Sequence, residues 1–154
     1  MKLRTSVLTL ALCFVAAAVC FAASDAQMGS WKLNEGKSKL AGKSRNNTVV
    51  YEGAGDSVKV TIDGIDPDGK PVHSEWTGKF DGKSYPVTGD SASDSRSYKQ
   101  IDDHTLSFTV KQGAKVTITG RIVVSADGKT RTVTTSSTDA AGKTSKGTAV
   151  YDKQ

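Results

Sequence analysis

The chain has 154 residues, with 21 basic against 16 acidic side chains, a net charge of +5 and two cysteines. Outside the first few residues the positive charges stand singly at turn signals, as at Lys70, Lys83, Lys129 and Lys143. No basic run is interleaved with aromatics, which argues against a nucleic-acid-binding surface. Both cysteines, Cys13 and Cys20, fall in the first two dozen residues, so the remainder has neither a disulfide framework nor a thiol nucleophile.

Residues 1–24 carry Lys2 and Arg4, then an apolar run over residues 7–23, then Ser24. This is the pattern of a secretory signal peptide, with an apolar stretch too short to span a bilayer stably. Cleavage after Ser24 puts Ala22 and Ser24 at the positions a signal peptidase reads, and cleavage after Ala26 fits almost as well. Cys20 follows Val19 where a lipid-anchored cysteine requires small residues, so no anchor is expected. The expected location is secreted or periplasmic. Residues 25–154 make one domain with 19 basic and 16 acidic residues, a net charge of +3.

Within that domain apolar and polar residues alternate at period two, the signature of strands with one dry face. Val58, Val60 and Ile62 point one way and Lys59, Thr61 and Asp63 the other; Leu106, Phe108 and Val110 repeat the pattern. Val116, Ile118, Ile122 and Val124 form the longest such row, with Gly120 inside it, where a missing side chain permits a bend or a close aromatic contact. Further strands are predicted at 28–33, 48–52, 72–80, 85–88, 96–101, 130–135 and 148–152, giving nine or ten. Turn signals separate them: Gly55-Asp56, Asp68-Gly69, Asp81-Gly82, Asp102-Asp103, Gln112-Gly113 and Asp127-Gly128. Residues 36–45 are a polar connection with room for one helical turn. So many short-linked strands hide their edges best as a closed up-and-down barrel, with an open sandwich as the alternative.

Motifs that would name a reaction fail on context. Gly55-Asp56-Ser57 and Gly89-Asp90-Ser91 look like hydrolase nucleophile strings, yet the chain has only His73 and His104 to act as base, and neither has the setting of a triad. Gly36 and Gly42-Lys43-Ser44 miss the phosphate-loop spacing by one residue. Asp63, Asp66, Asp68 and Gly69 lack the glutamate that completes a calcium loop. His73 and Glu75 share a strand face but lack a third and fourth ligand, so no metal is expected. No cofactor is expected either, and the chain is read as not an enzyme.

Eight aromatic residues follow the signal segment: Trp31, Tyr51, Trp76, Phe80, Tyr85, Tyr98, Phe108 and Tyr151, roughly one per strand. In a small barrel such residues fill the interior; alternatively some of them line a cavity at one mouth. The candidate ligand-binding set is Trp76, Tyr85, Tyr98 and Phe108, with Arg96 and Gln100 beside Tyr98 as orienting groups.

Gly29-Ser30-Trp31 resembles the Gly-x-Trp opening of lipocalins, which implies a Trp at the barrel base and a late-strand arginine, Arg121 or Arg131, packed over it. The second lipocalin signature is not matched, since Thr138-Asp139 is followed by Ala140. A broader likeness runs through residues 28–34, Lys37-Ser38-Lys39, Val50-Tyr51-Glu52, residues 58–61, Asp81-Gly82-Lys83, residues 85–89, Asp127-Gly128-Lys129-Thr130 and Ala149-Val150-Tyr151. These are similar to a lipocalin-like family of small exported bacterial proteins of uncharacterised function, which implies export and a β-barrel and no particular ligand. The resulting expectation is an all-β, single antiparallel up-and-down barrel of about 8 to 10 strands. Its expected partner is a small hydrophobic or amphipathic ligand; it is expected to be monomeric, not membrane-spanning and without a nucleic-acid partner. The alternative is an envelope protein-protein interaction module with a filled barrel, meeting its partner through an outer face or through residues 89–96.

Overall fold

In the computed structural model residues 25–154 are described, and the predicted signal peptide lies outside them. Ten strands follow in order: β1 Gly29–Leu33, β2 Arg45–Ala54, β3 Ser57–Ile65, β4 Pro71–Gly78, β5 Asp81–Thr88, β6 Ser95–Gln100, β7 Thr105–Gln112, β8 Lys115–Val124, β9 Thr130–Thr138 and β10 Thr144–Lys153. Each pairs antiparallel with its chain neighbours, and β1 pairs with both β2 and β10, so the sheet closes into an up-and-down barrel. Closure leaves no free edge. Among the described residues no helix is long and apolar enough to cross a membrane.

The turn residues behave as their chemistry requires. Gly55, Gly69, Gly113 and Gly128 all adopt positive φ at hairpin tips. Asp66 and Asp127 accept backbone N–H bonds from residues two positions on, at 2.9 and 3.0 Å, the Asx geometry that nucleates such turns. Asp81-Gly82 is different: it lies inside β5, where the pairing with β6 shifts between Asp81 and Ser84, and the β4–β5 turn is instead at Lys79 and Phe80. The polar connection after β1 contains one 3-10 turn, Glu35–Lys37, whose Asn34 side chain caps Lys37 N.

The inward rows of β3 and β7 follow the predicted phase: Val58, Val60, Ile62, Leu106 and Val110 are all buried. In β8 the phase holds only in part. Ile122 and Val124 are buried and Arg121 faces outward, but Val116 is 43 % exposed. A bulge explains it, since Val110 pairs with Ile118 while Lys111 pairs with Val116, leaving Thr117 as the extra residue and turning Val116 to the outer face beside Lys111. Gly120 stands opposite Phe108, and a β-carbon there would come within 2.5 Å of the Phe108 ring, so the glycine makes room for the aromatic.

One seam is thin. β4 and β5 are paired at Glu75 with Thr88 and at Trp76 with Val87. Val87 N donates to Asp94 O on the β6 side, so the adjacent Pro86 turns its nitrogen toward β4, and proline has no N–H to give.

The hairpin turns before β3, β5, β7 and β9 lie at one end of the barrel, and there the interior is packed. A 3-10 turn at Asp25–Gln27 covers this end: Gln27 is fully buried, its amide donates to His104 O at 3.1 Å, and Trp31 Nε1 donates to Gln27 O at 2.9 Å. Trp31 has no solvent exposure, as a residue at the barrel base should. The cation over its ring is Lys153, 5.1 Å from the centroid, and neither expected arginine takes that place. Arg121 is on the outer face, and Arg131 points inward over Tyr51 and Tyr151. Lys153 fits because it stands directly opposite Trp31 in the register. Trp31→Ala is expected to lower stability by about 3–5 kcal/mol through lost burial and a residual cavity, read as a shift in the denaturant midpoint. An unchanged midpoint would contradict the packing described.

Candidate functional site

At the opposite end the barrel is hollow. A cavity of about 240 Å³ opens there, walled by Val49, Ile62, Val110, Ile118, Ile122 and Val133. That is somewhat below the usual range of about 300–1,000 Å³ for drug-sized ligands and suits a smaller molecule. Its rim includes Leu40, Ala41 and Ser44 from the β1–β2 connection. The connection is held down by reciprocal backbone bonds between Lys39 and Thr148, both 2.7 Å. Gly147 permits that approach, since a β-carbon there would lie 2.9 Å from Ala41 N.

The floor is aromatic. Tyr51 and Tyr98 border the cavity, and behind them Trp76 and Phe80 fill the barrel. Trp76 meets Tyr98 edge-on at 4.8 Å and stacks with Phe80 at 6.4 Å, while Phe80 meets Tyr51 at 6.4 Å. Of the four aromatics singled out from the sequence, Tyr98 and Phe108 line the cavity, with ring centroids 6.0 Å apart. Trp76 lies in the packed layer beneath, its Nε1 donating to Arg96 O at 2.9 Å. Tyr85 packs edge-on against Trp76 at 5.8 Å, and its hydroxyl turns outward to Asp81 Oδ2 at 2.9 Å. Arg96 lines the cavity as an orienting group would, whereas Gln100, two residues beyond Tyr98, is not among its lining residues.

Two buried arginines enter this space, whose lining also includes Asn46, Thr135, Ser137 and Thr148. Arg131 is 3 % exposed and Arg96 8 % exposed, and both line the cavity. Arg131 Nη2 donates to the Tyr51 hydroxyl at 2.5 Å, and its guanidinium sits 4.7 Å from the Tyr51 ring centroid and 5.5 Å from that of Tyr151. Arg96 Nη1 approaches the Tyr98 hydroxyl at 3.4 Å, and Nη2 is 4.0 Å from Asp90 Oδ2. Burial pushes the Tyr51 phenol strongly up against the opposing pull of Arg131, and burial likewise raises Tyr151. Both hydroxyls therefore keep their protons at physiological pH and remain able to donate as well as accept. In the sequence Arg131 stands out only as a cover for Trp31, and Tyr51 and Tyr151 only as two of the eight aromatics. The available signal was phase: Arg131 alternates with Thr130 and Thr132, which puts it on the inner face with Val133.

No protein-family model matches the chain, and no curated protein does. Among solved structures, one described as EF1p2_mFAP2b bound to DFHBI is 13 % identical, with a TM-score of 0.49 over 86 % of this chain and 97 % of that one. A redesigned β-barrel, mFAP1, bound to DFHBI, is 15 % identical, with a TM-score of 0.46 over 85 % and 98 %.

The residues weighed as metal ligands lie elsewhere. On the outer face, His73 Nδ1 is 2.7 Å from Asp63 Oδ1 and Nε2 is 3.8 Å from Glu75 Oε1, while Lys59 holds Glu75 at 2.7 Å. His104 stands in the β6–β7 turn at the packed end. The hydrogen bond to Asp63 raises the His73 pKa above its ordinary value, with smaller Coulombic support from Asp63 and Glu75. A raised folded-state pKa means the pair stabilises the fold fully below about pH 6.5 and that this support is lost as pH rises through the folded value. In an NMR titration His73 is expected to titrate above the ordinary histidine range, and Asp63→Asn to bring it down. A wild-type midpoint at or below that range would rule out the pairing.

Proposed function

We propose that the chain is an exported, non-catalytic, monomeric barrel that binds a small apolar or amphipathic molecule in its mouth-side cavity. The observation that carries this is the division of the interior: one end is filled by Trp31, Trp76 and Phe80, and the other holds a cavity whose lining mixes aliphatic and aromatic side chains with hydroxyls and convergent arginines, a concave site able to take both halves of an amphipathic molecule. Export rests on the sequence pattern of residues 1–24 and on the likeness to small exported bacterial lipocalin-like proteins. The non-catalytic reading draws support from the placement of both histidines away from the cavity lining and from the lack of any nucleophile–base string in the sequence.

The test is native mass spectrometry of protein recovered from the cell envelope, followed by calorimetric titration with neutral and charged short-chain amphiphiles and small metabolites. Saturable one-to-one binding is expected for the wild type. Ala149 lines the cavity, so Ala149→Trp fills it and is expected to weaken binding by about tenfold or more while the unfolding midpoint reports whether the barrel is intact. A wild type that takes up nothing across the panel overturns the proposal.

A further inference from the structure

The fold satisfies the two buried guanidiniums only in part. Arg131 Nε and Nη1 and Arg96 Nε are buried with no hydrogen-bond partner in the protein. Buried charged donors are normally paired, because desolvating them is costly without compensation. A third cavity arginine, Arg45 at the rim, likewise has a buried Nε without a hydrogen bond, but a carboxylate balances its charge, Glu35 Oε1 at 3.0 Å. Arg96 is partly offset by Asp90 at 4.0 Å, but no carboxylate of the described residues forms an ion pair with Arg131. The inner charge balance is thus short by about one negative charge.

The two arginines stand at different depths. Arg131 is the second residue of β9, close to the packed end, and the Tyr51 that it contacts is backed by Phe80. Arg96 stands opposite Val110, which lies next to the β7–β8 turn, so Arg96 is nearer the opening, where the lining mixes Leu40, Val110 and Ile118 with Ser44, Asn46 and Ser137. Arg131 and Arg96 are joined through Tyr51 and Tyr98, whose rings are 6.4 Å apart.

On the ligand-binding function proposed above, we infer that the ligand is a monoanionic amphiphile, its single carboxylate seated on Arg131 and the tyrosine floor and its apolar part running toward the mouth past Val110 and Ile118. A carboxylate matches the planar donor fork of a guanidinium and supplies the one missing charge, where a doubly charged phosphate would overshoot it. The Tyr51 and Tyr151 hydroxyls, kept protonated, supply neutral donors beside it.

The experiment is calorimetric titration of the intact exported protein at neutral pH with octanoate, octanol, octyl phosphate and inorganic phosphate. Octanoate is expected to bind about tenfold or more tighter than octanol, the scale of a charge-assisted hydrogen-bond pair, and octyl phosphate no tighter than octanoate. Arg131→Met is expected to bring octanoate down to the affinity of octanol; should that variant not fold, the wild-type ratios decide alone. Octanoate and octanol equal within about threefold would overturn the inference and leave the proposed function standing. Octyl phosphate clearly tighter than octanoate would reassign the headgroup to a phosphate. Inorganic phosphate as tight as octanoate would mean an inorganic anion only. No binding by any compound, including the neutral members of the wider panel, is failure of the proposed function itself.

Discussion

β1 holds both edges of the sheet. With five residues it is the shortest of the ten strands, yet Trp31 stands opposite Val49 on one side and Lys153 on the other. Without those rungs β2 and β10 would be exposed edges, and the curvature that encloses an interior would have nothing to maintain it. The Trp31 indole fixes the strand from inside, through burial and its bond to Gln27 O, and the 3-10 turn carrying Gln27 caps the same end. Everything the interior does follows from that closure, because only a closed sheet can be filled at one end and open at the other.

The aromatic residues divide the interior by size. Trp76, Phe80 and Tyr98 form interlocking edge and stacked contacts between 4.8 and 6.4 Å, which leaves no room for a guest in that layer. Above them the inward positions of β9 and β10 are small or polar, such as Thr135, Ser137, Gly147 and Ala149, and these cannot meet across the barrel. The cavity is therefore a consequence of side-chain volume on two strands, and Arg131 in its lining is held by ring faces and a hydroxyl in place of a carboxylate.

Much of the fold was legible because period-two alternation is a local property. The rows on β3 and β7 and the hairpin glycines could be read one strand at a time, while the burial of Trp31 was implied by its likeness to the lipocalin opening. What failed depended on pairing. Val116 looks like its neighbours in sequence, but an extra residue at Thr117 reverses its face, and a bulge leaves no mark in hydrophobic periodicity. Asp81-Gly82 has hairpin chemistry yet serves within β5. The cavity was the least legible feature, since its wall draws residues from strands far apart in the chain. Tyr98, Phe108 and Arg96 were named as candidates, while Arg131 and Tyr51, 80 residues apart, meet only once the barrel has closed.

The thin seam between β4 and β5 has a consequence for motion. A closed sheet has no end strand to fray, so its fluctuations must begin where the rungs are fewest, and Pro86 removes a donor there permanently. Exchange of backbone amides with solvent should accordingly be asymmetric around the circumference, fastest along Thr77 and the facing part of β5 and slowest where β9 and β10 run paired for most of their length. The barrel thus has a built-in side on which it breathes, and because Trp76 and Tyr85 pack across that side, their rings are the first interior groups that water would reach.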